Sequence, residues 1–378
     1  MTTLPSRRGR LIVKIGSGCL TVSDAAKTGE RRPRVEVDRN TLFRLAADCS
    51  TLLPPPGHQD GSHLEIVIVS SGAVALGVEA LGLDARPTEL ADVQAMAAVG
   101  QSLLMSLWRE AFGRYGRQVG QVLLTHSDLA DRTRYLNIRA TLENLLARGV
   151  IPIINENDTV MTDEITVGDN DRLATQVAKL LGASQLLLLS TVPGLLGPDG
   201  QPIPTVGPDD RPEDFLMEGK SAMGRGGMGS KLAAARAANH GGIEVFIASG
   251  RDRGVISAAV HGRPVGTRFI ADKAPLSGRK HWIAYTLRPH GQVILDAGAT
   301  DAVERTGASI LPVGIARITG TFGAGEVVSV IADDGREIAR GLVKLGSDDL
   351  RLLIGQPGPP AVHRDDLVLL RTAEESAA

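Results

Sequence analysis

At 378 residues the chain exceeds the usual size of one domain, so two are expected. With 43% hydrophobic residues and a mean hydropathy of +0.02 it can bury full cores, and a net charge of −2 gives no global attraction to nucleic acid or acidic lipid. Cys19 and Cys49 lack metal-ligand spacing and the eight histidines are scattered, which argues against a zinc site or a disulfide framework. No run approaches the roughly 18 apolar residues of a membrane span, and the basic start, Met1 to Arg10, precedes an apolar run too short for a signal peptide. A cytoplasmic protein is expected.

Leu11 to Ile15 reads as a short strand, closed by Gly16-Ser17-Gly18. Lys14 stands out within it: a lysine in a central strand points at an anion, whereas on an edge strand it would simply reach solvent. Residues 22–37 and 51–63 read as polar insertions around a helix from Asp38 to about Leu52. Leu64 to Val69 reads as a second strand ending in Ser70-Ser71-Gly72-Ala73, a small turn whose backbone N–H groups can approach an anion, though packing alone also produces such turns.

A helix from about Gln94 to Tyr115, a strand at Val119–Leu124 and a helix from about Arg134 to Ala147 follow. The strand Ile151–Ile154 then runs directly into Asn155, Glu156, Asn157, Asp158 and Thr159. A hairpin-like excursion through Thr159–Val167 returns to Asp169-Asn170-Asp171, ahead of a helix to about Leu181 and a strand at Leu186–Leu189. Strands alternating with helices predict an α/β fold, a mainly parallel sheet covered on both faces. In such sheets ligands bind outside the carboxyl ends of strands. Turn-forming and capping account for one such polar cluster; two at successive element ends favour a site.

Gly224-Arg-Gly-Gly-Met-Gly229-Ser-Lys231 is expected to lead into an alanine-rich helix from Lys231 to about His240, before a strand at Ile243–Ala248. It lacks the preceding strand of a dinucleotide fingerprint and misplaces the lysine of a P-loop. A glycine run at a helix N-terminus with a lysine beside it attracts phosphate; a glycine hinge is the alternative. Residues 271–287 read as a linker between a first domain, 1–270, and a second, 288–378. The second shows short β-type runs at Gln292–Leu295, Ile315–Thr319, Val327–Ile331 and Val343–Leu345. From Arg288 onwards nine Lys and Arg face thirteen Asp and Glu, the opposite of an RNA-binding balance.

Two distant lysines, two glycine-bearing loops and two acidic-amide clusters suit phosphoryl transfer, where the protein positions groups and neutralises charge. No histidine or serine dyad offers a general base, and a carboxylate nucleophile, already ionised at neutral pH, needs none.

These motifs resemble the glutamate 5-kinases of the amino acid kinase family. The resemblance runs from about Leu11 to Leu370. It rests on Val13-Lys-Ile-Gly-Ser17, Ser70-Ser-Gly-Ala73, Ala98-Val-Gly-Gln101, Ile154-Asn-Glu-Asn-Asp158, Val167-Gly-Asp-Asn-Asp171 and Gly226-Gly-Met-Gly-Ser-Lys231. The tail, through Leu311-Pro-Val-Gly314, Thr319 to Glu326 and Val362 to Asp366, is similar to the PUA domains appended to such enzymes. The resemblance implies ATP- and Mg²⁺-dependent phosphorylation of the γ-carboxylate of L-glutamate, the first step of proline synthesis.

By the same resemblance Lys14 and Lys231 flank the transferring phosphoryl group, with Asp171 holding them apart and Asp169 ordering the loop. Ser71, Gly72, Asp158 and Asn170 would bind glutamate. Gly16, Ser17, Ser190, Thr191 and the turn Arg225, Gly226, Gly227, Met228, Gly229, Ser230 and Lys231 would hold the nucleotide. It further implies a homo-oligomer (dimer or tetramer) and inhibition by proline, with γ-glutamyl phosphate reductase, which follows in the pathway, as a candidate partner; the acidic balance of the tail argues against an RNA partner, and the absence of a long apolar run against a membrane one. Ser190-Thr191 replaces a usual Thr-Asp, and Arg225 a usual threonine, both on the nucleotide side. A sister kinase of another small acid, an RNA-binding protein and an inactive proline sensor are the rival readings.

Overall fold

A computed structural model describes residues 9–23, 35–55, 64–161, 168–208, 210, 212, 225–272, 276 and 278–370. Contacts divide the chain into two compact units, Met1–Pro275 and Leu276–Ala378.

The first unit is built on an eight-stranded sheet. Its elements are β1 (Arg10–Ile15), α1 (Arg39–Leu52), β4 (Glu65–Ser70), α2 (Ala73–Ala80), α3 (Leu90–Gly113), β5 (Val119–Leu124), α4 (His126–Ala130), α5 (Arg132–Ala147), β6 (Ile151–Glu156), α6 (Asp169–Leu180), β7 (Gln185–Ser190), β8 (Thr205–Val206), α7 (Arg225–His240), β9 (Glu244–Ser249), α8 (Val255–Val260) and β10 (Thr267–Phe269). β2 (Thr21–Ser23) and β3 (Val35–Val37) form a separate antiparallel pair. The strand order is β5-β6-β4-β1-β7-β9-β10-β8, parallel from β5 to β9. β10 then runs antiparallel to β9.

β1 therefore lies centrally, with β4 on one side and β7 on the other. Its side chains alternate between two cores, as a strand's must. Leu11, Val13 and Ile15 pack with α1, α3 and α8, while Ile12 packs with α6 and α7. Lys14 shares the face of Ile12 and reaches the carboxyl edge of the sheet below α6.

α3 is long and apolar enough to span a bilayer by composition, yet Leu104, Trp108, Ala111 and Phe112 are buried in the protein's own core. It crosses α2 unusually closely. A Cβ on Gly100 would run into the carbonyl oxygen of Ala73, and one on Gly77 into that of Met96. Two small residues thus set the distance between helices.

Several boundaries differ from expectation for local reasons. The predicted helix from Arg134 is preceded by α4, because Thr125 and Asp128 form a reciprocal capping box and Asp131 caps the next helix through Arg134 N at 2.8 Å. α7 starts at Arg225 rather than Lys231, so the glycines form its first turns. Of the predicted insertions, 24–34 and 56–63 lie outside the described residues; Val37 is buried and residues 51–52 end α1, so these parts belong to the core unit. Most of the expected excursion to Val167, residues 162–167, also lies outside them.

The second unit contains a five-stranded sheet, ordered β12-β11-β13-β14-β15. Its elements are β11 (Gly291–Leu295), α9 (Ala297–Thr306), β12 (Ile315–Gly320), β13 (Val327–Ile331), β14 (Glu337–Val343), α10 (Ser347–Leu353) and β15 (Val362–Leu369). Part of the predicted linker belongs to this unit: Gly278–Thr286 is helical, and Ile283 and Ala284 pack against Val327 and Val368. Of the strand expected at Val343–Leu345 only Val343 is in a strand, as the last residue of β14; Lys344 and Leu345 follow it outside the sheet. β15 carries polar Arg364-Asp365-Asp366 within its run, which hides it from an apolar pattern; Asp366 is buried between Arg279 and Lys344.

Candidate active site

The loops after β1, β4, β6 and β7 meet at one sheet edge and enclose a cleft of about 440 Å³. At its floor Asp171, in the first turn of α6, is fully buried and holds two ammonium groups. Its Oδ1 lies 2.6 Å from Lys14 Nζ and its Oδ2 3.1 Å from Lys231 Nζ. Ser230 Oγ donates to Oδ2 at 3.0 Å, and Lys231 Nζ also donates to the Gly227 carbonyl at 3.2 Å. Burial acts to raise the Asp171 pKa, but the charges of Lys14 and then Lys231 overcome it and hold it below the ordinary carboxylate value. Burial lowers the Lys14 pKa, with Asp171 opposing that shift and Lys231 adding to it.

One end of the cleft is lined with amides. Asn170 Nδ2 donates to Ser71 Oγ at 2.8 Å and to Asn155 Oδ1 at 3.0 Å, and Asn155 Nδ2 donates to Gln101 Oε1 at 2.9 Å. The close approach at Gly100 is what brings Gln101 to this network. Asn170 Oδ1 is buried and accepts no hydrogen bond among the described residues. Gly72 and Gly168, in the left-handed region at φ 115° and 113°, open α2 and α6 towards the same space. Asp158 lies here too. Burial, then the neighbouring Asp169, pushes its pKa up to about 6, while Arg86 opposes the shift.

The opposite end is glycine-rich. Gly16 N donates to the Leu189 carbonyl at 3.1 Å, pinning the first loop to the end of β7 beside Ser190 and Thr191. A Cβ on Gly18 would sit 2.9 Å from Thr191 Cγ2. Around Gly227 and Gly229 nothing would meet an added Cβ within 4 Å.

Lys14, Gly16, Ser17, Ser71, Gly72, Asp158, Asp169, Asn170, Asp171, Ser190, Thr191, Gly227 and Lys231 all line this one cleft. Met228 instead packs against the sheet face that carries Ile12, and Ser230 acts through Asp171. Gly229 is not on the lining. The side chain of Arg225 and the surroundings of Gly226 lie outside the described residues. Cys19, Thr21, Arg86, Asn155 and Glu156 also line the cleft without having been singled out as binding residues. Asn155 and Glu156 sat inside a recognised motif, whereas Arg86 lies in an irregular stretch with no pattern to flag it.

Two ammonium groups held apart by one buried carboxylate, between an amide-lined end and an open glycine end, suit transfer of an anionic group between two ligands. The chain matches the amino acid kinase family over residues 9–249 and the PUA domain over residues 291–358. It is 42% identical to glutamate 5-kinase of Geobacter sulfurreducens, the alignment covering 97% of this chain and 98% of that one. Identity is 43% with the Klebsiella pneumoniae enzyme (95% and 98% covered) and 40% with that of Burkholderia mallei (96% and 98%). The chain belongs to the glutamate 5-kinase family, an amino acid kinase unit followed by a PUA domain.

Proposed function

We propose that this chain transfers the γ-phosphoryl group of ATP to the γ-carboxylate of L-glutamate, giving γ-glutamyl phosphate and ADP, as the first step of proline synthesis. The observation that carries this reading is Asp171 bridging Lys14 and Lys231 at 2.6 and 3.1 Å, in a chain 40–43% identical over 95–97% of its length to three glutamate 5-kinases.

A γ-carboxylate oxygen attacks phosphorus as the bond to the bridging oxygen of ADP breaks, and no proton has to be removed because the carboxylate is already ionised. Lys14 and Lys231 meet the negative charge on the moving group and the leaving diphosphate. Asp171 sets their separation and keeps them from repelling one another out of place. Gly16, Ser17 and the Gly226–Lys231 turn hold the phosphates, with Ser190, Thr191 and Arg225 on the nucleotide side. Ser71, Gly72, Asp158 and Asn170 hold glutamate, with Asp169 ordering the loop. Among the described residues no group of three or more His, Cys, Asp or Glu is placed to hold a metal ion. Mg²⁺ would accompany the nucleotide and would supply charge neutralisation at its phosphates.

Proline, which shares an amine and a carboxylate on one carbon with glutamate, competes at the amide end and inhibits. The protein works in the cytoplasm as a homodimer or homotetramer, with residues 1–270 catalytic, 288–378 as the PUA domain, and product passing to γ-glutamyl phosphate reductase. The test is ADP release with glutamate, aspartate, N-acetylglutamate and carbamate, trapping acyl phosphate with hydroxylamine, with and without proline. Hydroxamate from glutamate alone, suppressed by proline, supports the reading; turnover only with another acid overturns it.

A further inference from the structure

Among the described residues the cleft is lined by three cations, Lys14, Lys231 and Arg86, and four carboxylates. Both lysines are committed to Asp171, at the point where the phosphoryl group moves. An amino acid phosphorylated at its side-chain carboxylate leaves a second carboxylate, on the amine-bearing carbon, to be bound at the far end. There the carboxylates Asp158 and Asp169 would repel it. Asp158 suits the adjacent ammonium instead. The α-carboxylate needs its own positive charge, and among the described lining residues Arg86 is the cation that acts on Asp158.

We propose that Arg86 recognises the α-carboxylate of the acceptor substrate and thereby selects amino acids over simple carboxylates; this rests on the reading of the cleft as a glutamate site. Arg86 stands after α2, whose residues Val74, Ala75 and Val78 line the same wall. Its charge is felt at Asp158, where it opposes the upward shift. Its guanidinium is on the cleft lining, and its planar fork of donors is suited to gripping a carboxylate with two parallel hydrogen bonds. Asp158 and Arg86, both on the cleft lining, offer an anion and a cation to the zwitterionic end of an amino acid. Because the guanidinium is exposed, solvent screens it, and it adds selectivity rather than the bulk of affinity.

The test compares glutamate with 4-aminobutanoate, which keeps the amine and the reacting carboxylate but lacks the α-carboxylate. kcat and KM are measured for both in the parent enzyme and in Arg86→Ala and Arg86→Lys, with Kd by calorimetry for whichever acid turns over too slowly. Arg86→Ala is expected to raise KM for glutamate by about tenfold, the scale of one charge-assisted contact, with kcat within about twofold. Values for 4-aminobutanoate stay within about twofold, and Arg86→Lys recovers part of the loss. An equal loss for both acids, or an unchanged KM for glutamate, overturns the assignment. A parent enzyme that fails to phosphorylate glutamate at all counts against the proposed function rather than against Arg86.

Discussion

Replacing Asp171 by Asn keeps the shape of the side chain and removes its charge, leaving two buried ammonium groups with no counter-ion between them. The carboxylate is fully buried and touches both, at 2.6 and 3.1 Å, so its loss is that of a buried ion pair rather than a surface one. Breaking such a pair costs about 3–5 kcal/mol, equivalent to a fall in Tm of roughly 10 °C for a unit of this size. The cost depends on pH with a definite sign. Without Asp171, the Lys14 pKa, already lowered by burial, falls further below its unfolded value. The unfolded chain then binds more protons over the interval between the two values, so the variant gains stability as pH rises. The Tm deficit, followed by differential scanning calorimetry, is therefore greatest near pH 6 and shrinks towards pH 9. Turnover falls by at least about 100-fold, because the lysines no longer hold their positions. A variant with parental Tm across this range, or with near-parental kcat, would refute the role given to Asp171.

Lys231→Ala is expected to cost at least about 100-fold in kcat, on the order of 3 kcal/mol, as for loss of one charge-stabilising donor; steady-state kinetics with saturating ATP checks it. Asp158, with its pKa near 6, is ionised only above that pH, so kcat/KM for glutamate should fall as pH drops through about 6. The folded pKa lies above the unfolded one, so Asp158 contributes stability at low pH that is lost as pH rises through 6. Asp158→Asn should therefore weaken glutamate binding yet raise stability at pH 7.5 by on the order of 1 kcal/mol, measured by urea titration. Gly100→Ala, whose methyl group would meet the Ala73 carbonyl, should force α2 and α3 apart and cost about 3 kcal/mol, with a raised KM for glutamate as Gln101 withdraws from Asn155.

The alternation of apolar runs with helical stretches was enough to place the parallel sheet, since each buried strand is a continuous run ended by small or polar residues. The same property made Lys14 legible: one charge in an otherwise apolar strand has few places to go. Asp171 was visible as part of a polar cluster, but its grip on two lysines depends on α6 and α7 meeting, 60 residues apart in the chain, which no local pattern encodes. Arg86 was hidden for a different reason. Exposed arginines in irregular segments are common, and only the folding of that segment over the cleft distinguishes this one. In the second unit, β15 is masked by the polar run Arg364-Asp365-Asp366, although Val362, Leu367 and Val368 on either side of it are buried and Asp366 lies between two cations.

The central claim is that the γ-carboxylate oxygen of glutamate attacks the phosphorus of ATP. Glutamate labelled with ¹⁸O in that carboxylate, incubated with ATP, Mg²⁺ and hydroxylamine, tests it through the phosphate released when hydroxylamine cleaves the acyl phosphate. Mass spectrometry should find one ¹⁸O atom in each phosphate formed together with hydroxamate. Phosphate released without ¹⁸O would show that water took the phosphoryl group, contradicting the account.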